Sequence, residues 1–265
     1  MIRTPRRIFS AGAAALGLGL VALLSPLSQA ASINYGNFGP VAPGISFENV
    51  TETSVTDSVP LYGSPVAYAT GLDFNPMGFV AYGVGGGGDI TDGQMNFTIA
   101  GQVVNGNATA ISSVTLSEGG DYTLVGTGTA ATQVQGGAIM NVTIKEIDGI
   151  AVAPIILAPV NASVAFNLVA NNGLAQPWSL GLTSNISAQL AALSIPFTVG
   201  ATKVDVALNN TLTAISEPST IAFIAKKDFR IDLVPDTGVI PEPSTLALAG
   251  LALCGIGAVS RRRVG

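Results

Sequence analysis

Apolar and polar residues alternate one for one along much of this chain, and that period constrains its fold more than any other feature. Met95, Phe97 and Ile99 alternate with Asn96 and Thr98, and Val142 and Ile144 with Asn141, Thr143 and Lys145. Val164, Phe166 and Leu168 follow the same rule, as do Val204, Val206 and Leu208, and Phe229, Ile231 and Leu233 around Arg230 and Asp232. A repeat of two places each apolar set on one face of a strand. Turn-forming residues punctuate these runs at Ser117-Glu118-Gly119-Gly120-Asp121, Asp148-Gly149, Asn171-Asn172-Gly173 and Asn209-Asn210. Asp148-Gly149 predicts a hairpin between residues 144–147 and 150–152. The expectation is an all-β chain: a single antiparallel β-sandwich or jelly-roll-like domain over residues 31–235. Residues 184–193 fit a strand or a short helix, because Ile186, Leu190 and Leu193 also match helical spacing.

The two ends read differently. Arg3, Arg6 and Arg7 precede an apolar run over residues 11–24, and Ser28-Gln29-Ala30 follows with small residues at both positions a signal peptidase inspects. Residues 1–30 are therefore expected to form a signal helix cleaved after Ala30. At the other end, Pro241-Glu242-Pro243 leads into an apolar run over residues 246–259, closed by Arg261, Arg262 and Arg263. The prolines keep the segment extended and unable to join a sheet. The apolar run suits a short transmembrane helix, and the arginines hold its end on the cytoplasmic side. Residues 236–245 read as a stalk and residues 246–265 as helix and cytoplasmic end. The similar Ser216-Glu217-Pro218-Ser219-Thr220 precedes only five apolar residues before Lys226 and Lys227, and reads as the start of a strand.

This ordered tail resembles the PEP-CTERM sorting signals, here over residues 240–263. The resemblance implies that exosortase, a membrane-embedded cysteine protease, recognises Pro241, Glu242 and Pro243 and removes the helix, as other tripartite C-terminal signals lose theirs. It implies signal peptidase and exosortase as partners during export, transient insertion in the inner membrane, and a final place at the cell surface or outside the cell. The stretches from Leu116 to Leu124, Gly126 to Ala131 and Lys145 to Gly149 also resemble exported PEP-CTERM proteins of environmental Gram-negative bacteria. That likeness brings no catalytic residues with it.

Charge narrows the partners. Residues 31–243 hold five basic and sixteen acidic residues, a net charge of −11, so nucleic acid is not expected to bind. There is no histidine, and the single cysteine, Cys254, sits in the apolar tail. Hydrolase triads built on imidazole or thiolate are closed to this body, zinc loses its commonest ligands, and no intrachain disulfide can form. No enzymatic role and no cofactor are expected. Asp89 and Asp92, on the glycine-rich stretch Gly85-Gly86-Gly87-Gly88, are the candidate calcium ligands. The same pattern describes a plain turn, which is the preferred reading.

Two roles remain. The first is a structural or adhesive, non-catalytic component of the cell surface or extracellular matrix. The alternative is a polysaccharide-binding β-sandwich, with Tyr62, Tyr68, Tyr82 or Trp178 as stacking platforms and exopolysaccharide as partner. For Trp178, between Pro177 and Ser179, a half-buried core position is favoured over a sugar platform. Tyr35, Asn37 and Phe38 are equally suited to closing the sandwich edge. The seven Asn-x-Ser/Thr triplets, at Asn49, Asn96, Asn107, Asn141, Asn161, Asn185 and Asn209, reflect composition.

Overall fold

The alternating runs become the strands of two antiparallel sheets. A computed structural model describes residues 31–41, 44–104 and 107–236. About 70% of this is strand, against two short helices, so the all-β expectation holds. The first sheet runs β1 (Ala31–Val41), β2 (Ile45–Ser54), β6 (Gly88–Gly101), β14 (Ala201–Ile215), β10 (Gln133–Ile147). Two strands share the outer side of β10: β12 (Val160–Asn167) pairs with its first half and β11 (Ile150–Ile156) with its last residues. The second sheet runs β13 (Gly173–Asn185), β9 (Ala110–Gly126), β15 (Thr220–Asp236), β4 (Gly71–Phe74), β3 (Val66–Tyr68), and β5 (Val80–Val84) pairs with β15 beyond β4. A small ribbon joins β7 (Val103–Val104) to β8 (Asn107–Ala108). The helices are α1 (Leu168–Asn171) and α2 (Ile186–Ala192).

Buried side chains from both sheets form one continuous hydrophobic cluster. Met95, Phe97, Ile99, Val142, Ile144, Val204, Val206, Leu208, Phe229, Ile231 and Leu233 are all buried in it, so period two located these inward faces correctly. Tyr122 of β9 stacks on Phe166 of β12, ring centroids 4.1 Å apart, and this pair bridges the sheets near one edge. At the β1 edge, Phe38 packs against the core and the Asn37 carboxamide accepts the Asn49 N–H at 2.8 Å, in keeping with the edge-closing alternative.

The Asp148-Gly149 hairpin forms as expected, with both residues at positive φ (53° and 76°), as a primed turn between right-twisted strands requires. The ambiguous stretch divides: β13 ends at Asn185, whose side chain accepts the Ala188 N–H and caps α2. The Ser216–Thr220 echo leads into β15, as read from the sequence.

Two expected turns are strands instead. Ser117-Glu118-Gly119-Gly120-Asp121 lies inside β9, opposite a bulge where Lys226 pairs with Gly120 and Asp228 with Gly119. Its glycines are there for close packing of backbones. A Cβ on Gly120 would collide with the Ala225 carbonyl. Asn209-Asn210 lies within β14, paired on both sides, with Asn210 turned into the core. Among the described residues no helix is long and apolar enough to cross a membrane. The expected signal helix, cleavage point, sorting motif, transmembrane helix and arginine stop fall outside the described residues.

Candidate functional site

The solvent face of the first sheet carries a polar groove. On this face Ala207 of β14 lies between Asn96 of β6 and Asn141 of β10, one residue on each neighbouring strand. Its methyl group is the low floor and the two carboxamides are the walls. One pleat along, Asp205 stands between Thr98 and Thr143 in the same register. The resulting cleft, closed at one side by Asn49, has a volume of about 340 Å³. A second hollow of about 270 Å³, with Ile139, Asn161, Asn209 and Thr211 at its sides, lies further along the same face.

Hydrogen bonds fix part of this lining and leave part free. Asp205 accepts the Thr98 hydroxyl at 2.7 Å and pairs with the Lys145 ammonium at 3.3 Å. Gln94 donates to the Asn96 carboxamide oxygen at 2.8 Å. Among the described residues the Asn141 and Asn49 side-chain amides have no protein partner, so their donors and acceptors face solvent in the groove. No aromatic side chain points outward from β6, β14 or β10.

The aromatic candidates are placed elsewhere. Tyr62 is fully buried, edge-on to Phe74, Phe79 and Phe229, so it is core and not a platform. Trp178 is also buried, and its indole N–H donates to the Ala225 carbonyl at 3.1 Å, as its favoured core reading anticipated. The Arg230 guanidinium covers the ring of Tyr68 at 4.2 Å, and the Tyr68 hydroxyl donates to Asp232 at 2.6 Å. Burial, then that carboxylate, pushes the Tyr68 phenol up to about 12. Tyr82 alone of the four stays exposed, beside Phe223 on the outer face of the second sheet.

Asp89 and Asp92 sit on β6, not on a loop; the glycine turn lies just before them, closed by the Gly87 N–H on the Val84 carbonyl at 3.0 Å. Three positions apart on a strand, they point to opposite faces. Asp89 accepts the Tyr82 backbone N–H at 3.0 Å and Asp92 the Thr211 hydroxyl at 3.1 Å. The structure therefore does not bring the two carboxylates together. Among the described residues no group of three or more His, Cys, Asp or Glu is placed to hold a metal ion.

One polar cluster escaped sequence reading. Lys226 of β15, Glu118 of β9 and Asn210 of β14 meet inside the core, all buried. Lys226 Nζ lies 2.6 Å from Glu118 Oε2, and Asn210 Nδ2 donates to the same oxygen at 2.8 Å. The other carboxylate oxygen, Oε1, is buried without a partner. The Tyr62 hydroxyl is 2.9 Å from Asn210 Oδ1 and 2.9 Å from the Gly93 carbonyl. Around the ammonium stand the rings of Phe79, Phe229 and Tyr62, with centroids at 4.4, 5.0 and 5.5 Å. Burial drives the Glu118 carboxyl up and the Lys226 ammonium down from their ordinary values, and their mutual attraction only partly opposes both shifts. The three residues lie far apart in sequence and on different strands, so no local motif marks them.

Fold and surface together define an acidic two-sheet β-sandwich with an amide-lined outer face. Residues 239–263 match the PEP-CTERM protein-sorting motif, and the chain carries that motif; it is the mark of an exported, exosortase-sorted protein. No curated protein matches the chain in sequence. Among solved structures it is similar to TmCBM61 in complex with beta-1,4-galactotriose, at TM-score 0.21 and 7% identity over 62% of this chain and 70% of that one. It is also similar to the enzymatically active domain of bacteriophage CBA120 tailspike protein 4, at TM-score 0.19 and 14% identity over 78% of this chain and 19% of that one. At these scores neither the ligand of the first nor the activity of the second bears on this chain.

Proposed function

We propose that the protein is a structural or adhesive, non-catalytic component of the cell surface or extracellular matrix, released to that place by exosortase. The observation that carries this reading is the sorting motif over residues 239–263, attached to a β-sandwich. In this reading signal peptidase cuts after Ala30, and the chain is held transiently in the inner membrane by residues 246–265. Exosortase then acts at Pro241, Glu242 and Pro243, while Arg261, Arg262 and Arg263 remain cytoplasmic. Mass spectrometry of the protein recovered from cells with exosortase should give an N-terminus at Ala31 and a C-terminus close to Pro243. A mature protein retaining Gly265 would defeat the processing step.

The groove over Ala207 favours a second reading, polysaccharide binding. Unpartnered carboxamides beside a carboxylate suit the hydroxyls of a neutral sugar chain, and the narrow floor admits its edge. Binding here rests on hydrogen bonds alone, without a stacking ring, so weak affinity per sugar unit and avidity along a polymer are expected. A glycan array probed with the wild-type protein and with Asn141→Ala tests it. Saturable binding lost in the variant supports the groove; binding that survives Asn141→Ala but is lost in Tyr82→Ala moves the site to the other sheet.

A further inference from the structure

We propose that Lys226 and Asn210 join in an intramolecular amide bond that ties the two sheets together, with Glu118 carrying the protons. Lys226 and Glu118 belong to adjacent strands of the second sheet, and Asn210 to a central strand of the first. One carboxylate oxygen, Glu118 Oε2, touches both reacting groups, at 2.6 Å from the amine nitrogen and 2.8 Å from the carboxamide nitrogen. Holding nucleophile and electrophile against a common proton carrier in a packed core makes their encounter unimolecular.

Each neighbour fits a role in that reaction. Burial favours transfer of the proton from the ammonium to the carboxylate, which leaves Lys226 as a free amine, its nucleophilic form. The rings of Phe79, Phe229 and Tyr62 exclude water, which would otherwise compete for the carboxamide carbon. The Tyr62 hydroxyl faces Asn210 Oδ1, the oxygen that gains negative charge when the carbon is attacked. Glu118 Oε1, buried and unpartnered, is a second place for the proton in transit.

The bonds balance without any co-reactant. The Nζ lone pair bonds to Asn210 Cγ, and the carbonyl electron pair moves onto Oδ1. Glu118 takes a proton from Nζ and delivers one to Nδ2, the Cγ–Nδ2 bond breaks, and ammonia leaves. One amine and one primary amide become one secondary amide and ammonia; nothing is oxidised or reduced, and Glu118 ends as it began. A resting ion pair accounts for Lys226 and Glu118 but leaves two charges in the core at a desolvation cost. It gives no reason for a carboxamide from the opposite sheet to sit on the same oxygen. The neutral amide removes the charges and supplies a covalent tie to a body without cysteine, the chain's single one, Cys254, lying in the tail.

Tryptic digestion of the wild-type full chain tests this directly, because cleavage after Lys203 leaves Asn210 and Lys226 in one peptide. The expected product runs from Val204 through Lys227, is uncut after Lys226, and is lighter than its sequence by one ammonia. Its tandem spectrum should hold no backbone fragments from cleavage between Asn210 and Lys226. Glu118→Gln and Asn210→Ala should restore the full mass and the cut after Lys226. A wild-type peptide of full mass overturns the proposal whether or not the variants fold. So does an ammonia deficit with fragments running through residues 211–225, which marks a cyclic imide at the asparagine.

Discussion

Asp148 organises the end of the β10–β11 hairpin through its carboxylate. Its oxygens accept the backbone N–H groups of Thr198, Val199 and Gly200 at 2.8, 2.7 and 2.9 Å, tying the hairpin to the segment that enters β14. Partial burial alone would raise its pKa, but the three donors together outweigh it and hold the carboxyl below its ordinary value. A depressed carboxyl stabilises the fold fully above the ordinary carboxylate range and loses that contribution as pH falls through its lower folded value. Asp148→Asn should therefore cost about 1 kcal/mol at neutral pH, the site being only partly buried and screened by solvent. Chemical denaturation across pH should show the gap between wild type and variant constant near neutrality and closed in strong acid. This residue was legible because an Asp-Gly turn declares itself within two positions. Glu118, Asn210 and Lys226 were not, because their partners stand 92 and 108 positions apart, and their charge and polarity look like those of any surface residue.

At the scale of elements, composition misled where backbones pack closely. Gly119-Gly120 has the chemistry of a turn, yet the pair lies in the longest ladder of the second sheet, where β9 meets β15 across a bulge. Asn209-Asn210 was misread for the same reason: one asparagine faces the outer groove, the other the buried cluster, and both are paired in β14. Alternation, by contrast, reported inward faces faithfully in β6, β10, β14 and β15, each with one wet side and one dry side. It was less faithful for Val164, Phe166 and Leu168: the first two are only half-buried on the outer strand β12, and Leu168 lies in α1. The two kinds of glycine can be separated by substitution. Gly120→Ala should destabilise by about 3 kcal/mol, since its Cβ would run into the backbone of Ala225 and Lys226, which has no rotamer to move aside. Gly137→Ala, whose Cβ would meet Ala162 O at an ordinary 3.9 Å, should be neutral or stabilising by up to ~1 kcal/mol. Thermal melts of the two variants beside wild type decide this, and equal losses would mean that β9 and β15 are less tightly apposed than described.

For the whole molecule, charge sets the terms of association. Each of the five basic side chains in residues 31–243 stands against a carboxylate: Lys145 against Asp205, Lys203 against Glu48, Lys226 against Glu118, Lys227 against Asp121, and Arg230 against Asp232. The remaining carboxylates leave the body with a net negative charge, which repels anionic polymers and destabilises the compact state through self-repulsion. Raising salt from about 0.01 M to about 1 M, where the screening length falls from ~30 Å to ~3 Å, should raise the melting temperature. A fall would mean that the exposed ion pairs outweigh the repulsion. The chain leaves the body at the end of β15. Asp236 continues from a strand flanked by β9 on one side and by β4 and β5 on the other. A pull applied there loads both ladders in shear at once, where an edge strand would be peeled away bond by bond. Tension on this end of the body therefore meets a shearing geometry and not a peeling one.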